Sequence, residues 1–230
     1  MQDINFGYLF IWYVAFLFSV TAHEAAHALA AMKGGDLTAY LGGQVTLNPL
    51  PHIKRSPFGT MVMPLLSYMF GGWMIGWASA PYDPNWAQRY PRKAALMAAA
   101  GPAANFLIFI VAFFMMKIGL AYGAFSRPAP DEFELTSLVV ANNENLSSVS
   151  ALLSVFFILN LILFIFNLFP LPPLDGSSII TLFMSARQVY RFNEWMNQPA
   201  LQFLGLILAW RAFEVVFAPV FLVVYKLLHS

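Results

Sequence analysis

Long apolar blocks joined by short polar connections set the pattern of this chain. The first block covers residues 4–32, with no charged residue between Asp3 and Glu24. Three more cover 94–122, interrupted only by Lys117, then 152–169, and 201–228 with Arg211, Glu214 and Lys226. Each is long enough to cross the roughly 30 Å hydrocarbon core as a helix. Another block, 57–80, is rich in Gly, Met and aromatics. The connection 33–56 holds two Gly pairs and the alternating run Gln44-Val45-Thr46-Leu47, which predicts a hairpin or a loop. Residues 82–93 are polar and basic. Residues 123–150 are acidic, with Asp131, Glu132, Glu134 and Glu144. Residues 185–199 carry Arg187 and Arg191 and are expected at the membrane interface. A cleaved signal peptide competes for the first block, but the leading residues carry Asp3 and no Lys or Arg. No repeat is present, and no connection reaches the roughly 50 residues of a separate domain. Residues 1–230 are therefore expected to form one membrane domain.

Composition narrows this to a class. Only 10% of residues are charged and 60% are hydrophobic, against roughly 25% charged in soluble domains. A soluble globule needs a charged coat, and disordered chains are poor in apolar residues. The chain has no cysteine, which excludes disulfides, thiolate zinc sites and iron–sulfur clusters. A net charge of +1 gives no case for a nucleic-acid partner. The expected fold is an all-α polytopic membrane protein of four to five transmembrane helices, embedded in the lipid bilayer. Basic residues orient it. Lys33, Lys54, Arg55, Arg89, Arg92, Lys93, Arg187 and Arg191 mark inside loops, and the acidic 123–150 loop is outside. Both ends of 57–80 then lie inside. That block is expected to be re-entrant or interfacial; a plain fifth span would break the charge rule at one loop.

The chemistry concentrates at His23-Glu24-Ala25-Ala26-His27. On a helix the two histidines share a face and can reach one metal ion. Glu24 beside them is placed to take a proton from water. Three ionisable groups inside a span are costly, about 2.5–3.5 kcal/mol for an acid on insertion scales, which sets this cluster apart from a water-satisfied helix end. A catalytic zinc takes three protein ligands and an open position. Ala30 and Lys33 stand where the metzincin continuation needs Gly and His, so the third ligand comes from elsewhere. His52 and His229 are expected to be ordinary surface residues. Asp175 stands out as the only acid between Glu144 and Glu194. It follows Pro170, Pro172 and Pro173, which force extended backbone near membrane depth. It is either a ligand or the cap of the next helix. Gly101-Pro102-Ala103-Ala104-Asn105 allows close helix approach. Asn105 would bond a neighbouring helix or a developing oxyanion. Asn160 and Asn167 pose the same choice, and Arg211 is expected to pair with Glu214.

Three motifs together resemble the site-2 protease family of intramembrane zinc metalloproteases. They are His23-Glu24-x-x-His27, Gly101-Pro102-x-x-Asn105 and Asn167-x-x-Pro170-x-Pro172-x-Leu174-Asp175-Gly176. The stretch from Leu41 to His52, followed by Pro57-Phe58-Gly59-Thr60, resembles the compact bacterial and archaeal branch. The resemblance runs from about Phe6 to Leu182. It implies one Zn²⁺ ion held by His23, His27 and Asp175, with Glu24 as general base and Asn105 and Asn167 near the scissile bond. It implies a substrate that is a membrane protein, often single-span, and a site towards the cytoplasmic side of the cell membrane. It also places a substrate beside edge-strand-like backbone, to which 44–47 could contribute. Departures are the lack of a PDZ or CBS domain, of a span before the His23 helix, and Ser79 where many compact members have Lys. The rival classes are a membrane zinc-binding or transport protein and an inactive scaffold. The residues leave the oligomeric state open.

Overall fold

The computed structural model describes residues 5–129 and 134–230. Asp3, Ile4, Asp131 and Glu132 lie outside the described residues. Among those described, four helices are long and apolar enough to cross a membrane. They are α1 (Phe6–Gly34), α6 (Pro91–Ala121), α7 (Ser147–Asn167) and α10 (Pro199–Leu228). Between α1 and α6 come α2 (Thr38–Leu41), α3 (Pro49–Arg55), a π-helical turn Phe58–Val62 running into α4 (Met63–Gly71), and α5 (Pro84–Arg89). Strands β1 (Phe125–Ser126) and β2 (Val140–Ala141) pair antiparallel between α6 and α7. Short α8 (Asp175–Ile179) and α9 (Ala186–Met196) lead into α10.

Local chemistry starts and stops these helices. The Asn5 side chain accepts from the Gly7 and Tyr8 amides at the start of α1. Gly35, in the left-handed conformation, ends it. Proline at the first turn opens α3, α5, α6 and α10. The first span thus ends two residues beyond the expected 32. The third begins at Pro91, whose ring suits a first helical turn, and the fourth at Ser147, running on from a 3₁₀ turn Glu144–Leu146.

Helix α1 packs against α6 and α7, which also pack against each other. Lipid offers no hydrophobic drive between helices, so close packing must hold them. Ala15, Ala28, Ala31, Ala95, Ala98 and Ala112 are all buried and let the backbones approach. Trp12, Phe16, Phe109, Met116, Phe157 and Ile158 fill the wider part of the seam. Helix α10 is the least embedded of the four. It touches the rest through Trp210 against Trp73 and Phe166, and through Phe213 against Phe166. Arg211 and Glu214 pair on its surface at 3.6 Å.

Residues 58–71 are 14 helical residues, about 21 Å long at 1.5 Å per residue, short of a bilayer core. The chain then turns back, with the Trp77 amide donating to the Gly59 carbonyl at 3.0 Å. Its two ends meet: Arg55 Nε donates to Ser79 Oγ at 3.3 Å, and the Ser56 and Ser79 hydroxyls are 3.4 Å apart. Gln44, almost fully buried, donates to the Ser79 carbonyl at 3.1 Å. Residues 44–47 form bends in a loop and no strand. The two-stranded sheet lies at the opposite end of the bundle, where Phe125 packs on Gly119 near the end of α6.

Two histidines differ from expectation. His52 is 1% exposed, with Nε2 on the Thr46 carbonyl at 3.1 Å. His229 is half-buried, with Nε2 on the Leu138 carbonyl at 3.1 Å. Each ring satisfies a loop carbonyl that would otherwise lack a partner. At that same end Lys117, the charge that interrupts the third block, caps α10 by donating to the Leu227 carbonyl at 2.9 Å.

Candidate active site

Helix α1 presents Ser19, His23 and His27 at intervals of four, so they form one stripe. Helix α6 runs antiparallel to it and presents Met97, Gly101 and Asn105 at the same interval. The stripes face each other. Asn105 lies behind His23, with Oδ1 at 2.5 Å from Nδ1. Met97 lies behind His27, its carbonyl accepting from Nδ1 at 2.7 Å. Pro102 follows in the helix and supplies no amide hydrogen to the turn that contains Met97 and Ala98. Gly101 lies between the two. A Cβ built there would strike Nε2 of both histidines, so only glycine lets α6 pass this close.

The third member arrives from α8, which packs on α6. Asp175 Oδ2 lies 3.1 Å from His23 Nε2 and 3.3 Å from His27 Nε2. The two Nε2 atoms are 3.0 Å apart, and the rings are nearly perpendicular. Nδ1 of His27 donates to the Met97 carbonyl and Nδ1 of His23 faces the Asn105 amide oxygen, so in neutral rings with this arrangement both Nε2 atoms carry lone pairs. Two lone pairs do not form a hydrogen bond, whatever their separation. Asp175 Oδ2 is likewise buried with no hydrogen-bond partner. Three unsatisfied acceptors therefore converge on one point. Zinc bonds of about 2.0–2.1 Å in tetrahedral geometry put ligand atoms about 3.3 Å apart. The observed separations match within a few tenths of an ångström, so the donors fit a metal ion.

Glu24 is 7% exposed and carries no hydrogen bond or ion pair among the described residues. It belongs with His23 and His27 to a group whose ligand atoms all lie within 4.8 Å of one another. His23 is 11 residues from the end of α1, about 16 Å at 1.5 Å per residue, so the cluster sits at membrane depth. Asn167 ends α7 and donates Nδ2 to the Leu163 carbonyl at 3.0 Å. No hydrogen bond joins it to His23, His27 or Asp175 among the described residues. Asn105 is fully buried, and both hydrogens of its amide are used, on Asn160 Oδ1 at 2.8 Å and the Ser19 carbonyl at 3.3 Å. Its amide hydrogens thus go to neighbouring helices, one of the two roles open to it from the sequence. Sequence reasoning passed over Met97, and it read Gly101 only as a site of helix approach. The interval of four that links Met97, Gly101 and Asn105 was the signal.

Fold and site together define a polytopic membrane protein with a buried, metal-competent His–Glu–His centre completed by an aspartate. Residues 11–210 match Peptidase family M50, and the chain belongs to that family, as the sequence resemblance implied. It is 34% identical over 168 residues to a candidate zinc metalloprotease, YwhC, of Bacillus subtilis, covering 73% of this chain and 66% of that one. It is 28% identical over 112 residues to a second, Rip2, of Mycolicibacterium smegmatis, covering 48% and 42%. The chain thus spans less than two thirds of either relative's length. No solved structure matches it.

Proposed function

We propose that this protein is a zinc-dependent endopeptidase that cuts peptide bonds within or beside transmembrane segments of single-span membrane proteins. The observation that carries this reading is the convergence of His23 Nε2, His27 Nε2 and Asp175 Oδ2 to within 3.0–3.3 Å of one another, three acceptors when the rings are neutral. One zinc ion there would supply Lewis acidity, which acidifies water and polarises a carbonyl. Glu24, without a hydrogen bond or ion pair among the described residues, takes the proton from the attacking water and returns it to the leaving amine. The scissile bond must be unwound, because a helical peptide bond is shielded by its own ladder. The prolines before Asp175 give turns and bends over residues 168–174 where an extended run was expected, and backbone exposed there is proposed to pair with such a strand. Asn167, at the mouth of that turn, is proposed to contact the substrate near the cut.

Eight of the twelve Lys and Arg residues (33, 54, 55, 89, 92, 93, 187 and 191) lie at the ends of α1 and α6 or in the short helices α3, α5 and α9 that connect the spans. This supports a site opening towards the cytoplasm. Single cysteines at Ser79 and Asn145, in a chain with none of its own, should label from the cytoplasmic and outer sides respectively. Labelling from one side overturns the orientation. A zinc transporter is the rival, but its polar groups would be spread along a pathway across the membrane. Here they share one level.

The central test is metal removal. Purified protein is expected to contain one zinc per chain and to cleave a single-span substrate in vesicles. A chelator should abolish cleavage, and added zinc should restore it. A metal-stripped preparation that cleaves at the original rate ends the zinc-peptidase reading.

A further inference from the structure

We propose that Asn160, on α7 and not in contact with the metal donors, is a positioning residue that dictates which nitrogen of His23 is free for zinc. This rests on the zinc reading above. His23 Nδ1 faces Asn105 Oδ1, but that contact alone decides nothing. An imidazole nitrogen can donate or accept, and the two ends of an amide have the same shape. The decision is made further back. Asn160 Nδ2 lies 2.9 Å from the Phe156 carbonyl and 2.9 Å from Ser19 Oγ. A backbone carbonyl only accepts, so Asn160 must aim its NH₂ there and its Oδ1 at Asn105. Asn105 must then turn its own NH₂ to Asn160 and to the Ser19 carbonyl. Only its Oδ1 remains for His23. Nδ1 of His23 must therefore donate, and the lone pair falls on Nε2, the atom that faces Asp175.

The chain is sealed. Ser19, Asn105 and Asn160 are all 0% exposed, and His23 is 8% exposed. The Phe156 carbonyl, acting through two amides, thus sets the polarity of the zinc ligand together with the Ser19 carbonyl, whose contact with Asn105 is the longer one at 3.3 Å against 2.8 Å to Asn160. A plain helix-joining role for Asn160 would need no such direction. Partners that orient a metal-ligating histidine in this way typically matter 10–100-fold in metal affinity or activity.

The same logic divides the four histidines. His23 and His27 are Nδ1–H, on Asn105 Oδ1 and the Met97 carbonyl. His52 and His229 are Nε2–H, on the Thr46 and Leu138 carbonyls. Nitrogen-15 NMR of histidine-labelled, zinc-free wild type, at a pH where the rings are neutral, should show two rings of each kind. Asn160→Leu, nearly isosteric, is expected to mix the tautomers of His23 and to weaken zinc binding about 10–100-fold. Its kcat should fall while KM stays within about twofold of wild type, because substrate contacts are untouched. Ser154→Ala is the control. It removes a fully buried hydroxyl from α7 that bonds Ser150 and Leu138, and should lower Tm without changing zinc affinity. An Nε2–H tautomer at His23 in wild type overturns the proposal even if Asn160→Leu fails to fold. So does an Asn160→Leu protein that binds zinc as wild type does. A wild type that binds no zinc defeats the zinc reading instead, and the tautomer count still decides this one.

Discussion

Glu24→Gln is expected to bind zinc as wild type does and to cleave at least 10²-fold more slowly. The reasoning starts from what Glu24 does not do. It makes no hydrogen bond or ion pair among the described residues, so replacing it severs nothing in the fold. His23, His27 and Asp175 already supply the three protein donors of a catalytic zinc, so Glu24 is surplus to binding. Glutamine has the same length and shape but cannot accept a proton from water at neutral pH. Positioned proton transfer is worth about 10²–10⁴-fold in rate, and that factor should vanish almost whole. Burying a neutral amide in place of a carboxylate is also cheaper at this depth, so thermal stability should hold or rise. Zinc content by elemental analysis, beside cleavage rates in vesicles, checks both halves. Cleavage at the wild-type rate would remove Glu24 from the mechanism; loss of zinc would make it a ligand.

Gly101→Ala is expected to abolish zinc binding and activity through one methyl group. In an unobstructed helix the change should stabilise, by up to about 1 kcal/mol. The Cβ at 101, however, lands on Nε2 of both histidines. Those rings cannot swing aside freely, because each is tethered through Nδ1, to Asn105 and to the Met97 carbonyl. Helix α6 cannot back away cheaply either, since Ala28, Ala31, Ala95 and Ala98 are already packed along the same seam. The methyl therefore occupies the space beside the donor atoms. Gly119→Ala on the same helix separates this from general crowding. Its Cβ strikes the Phe125 ring at the far end, so it should lower Tm and leave zinc bound. A Gly101→Ala protein with full zinc and wild-type cleavage would mean that the close pass of α6 is irrelevant to the site.

The His23–His27 pair was legible because a metal-binding interval of four lies within one helix, and because charge inside a span has so few bland explanations. Asp175 was legible for a related reason. It is an isolated acid after prolines that break a helix, and the fold brings its carboxylate to within 3.3 Å of both rings. Asn105 was visible as a polar anomaly inside a span, and the fold shows its amide bonded to Ser19 and Asn160 on neighbouring helices. His52 looked like a surface residue because its loop is basic, and the fold buried it.

The sequence by itself determined the membrane class, the four long apolar spans among four to five candidates, the pairing of His23 and His27 on one helix face, and the breaks between helices. These depend on period, length and local cost, all of which act between neighbours in the chain. Only the tertiary structure decided that 57–80 closes on itself through Ser56 and Ser79, that Gly101 lies against the histidine rings, and that Asn160 bonds Asn105 behind His23. Such relations depend on which faces of antiparallel helices meet. Lipid-embedded helices settle that by close packing and buried hydrogen bonds, and neither leaves a period in the sequence.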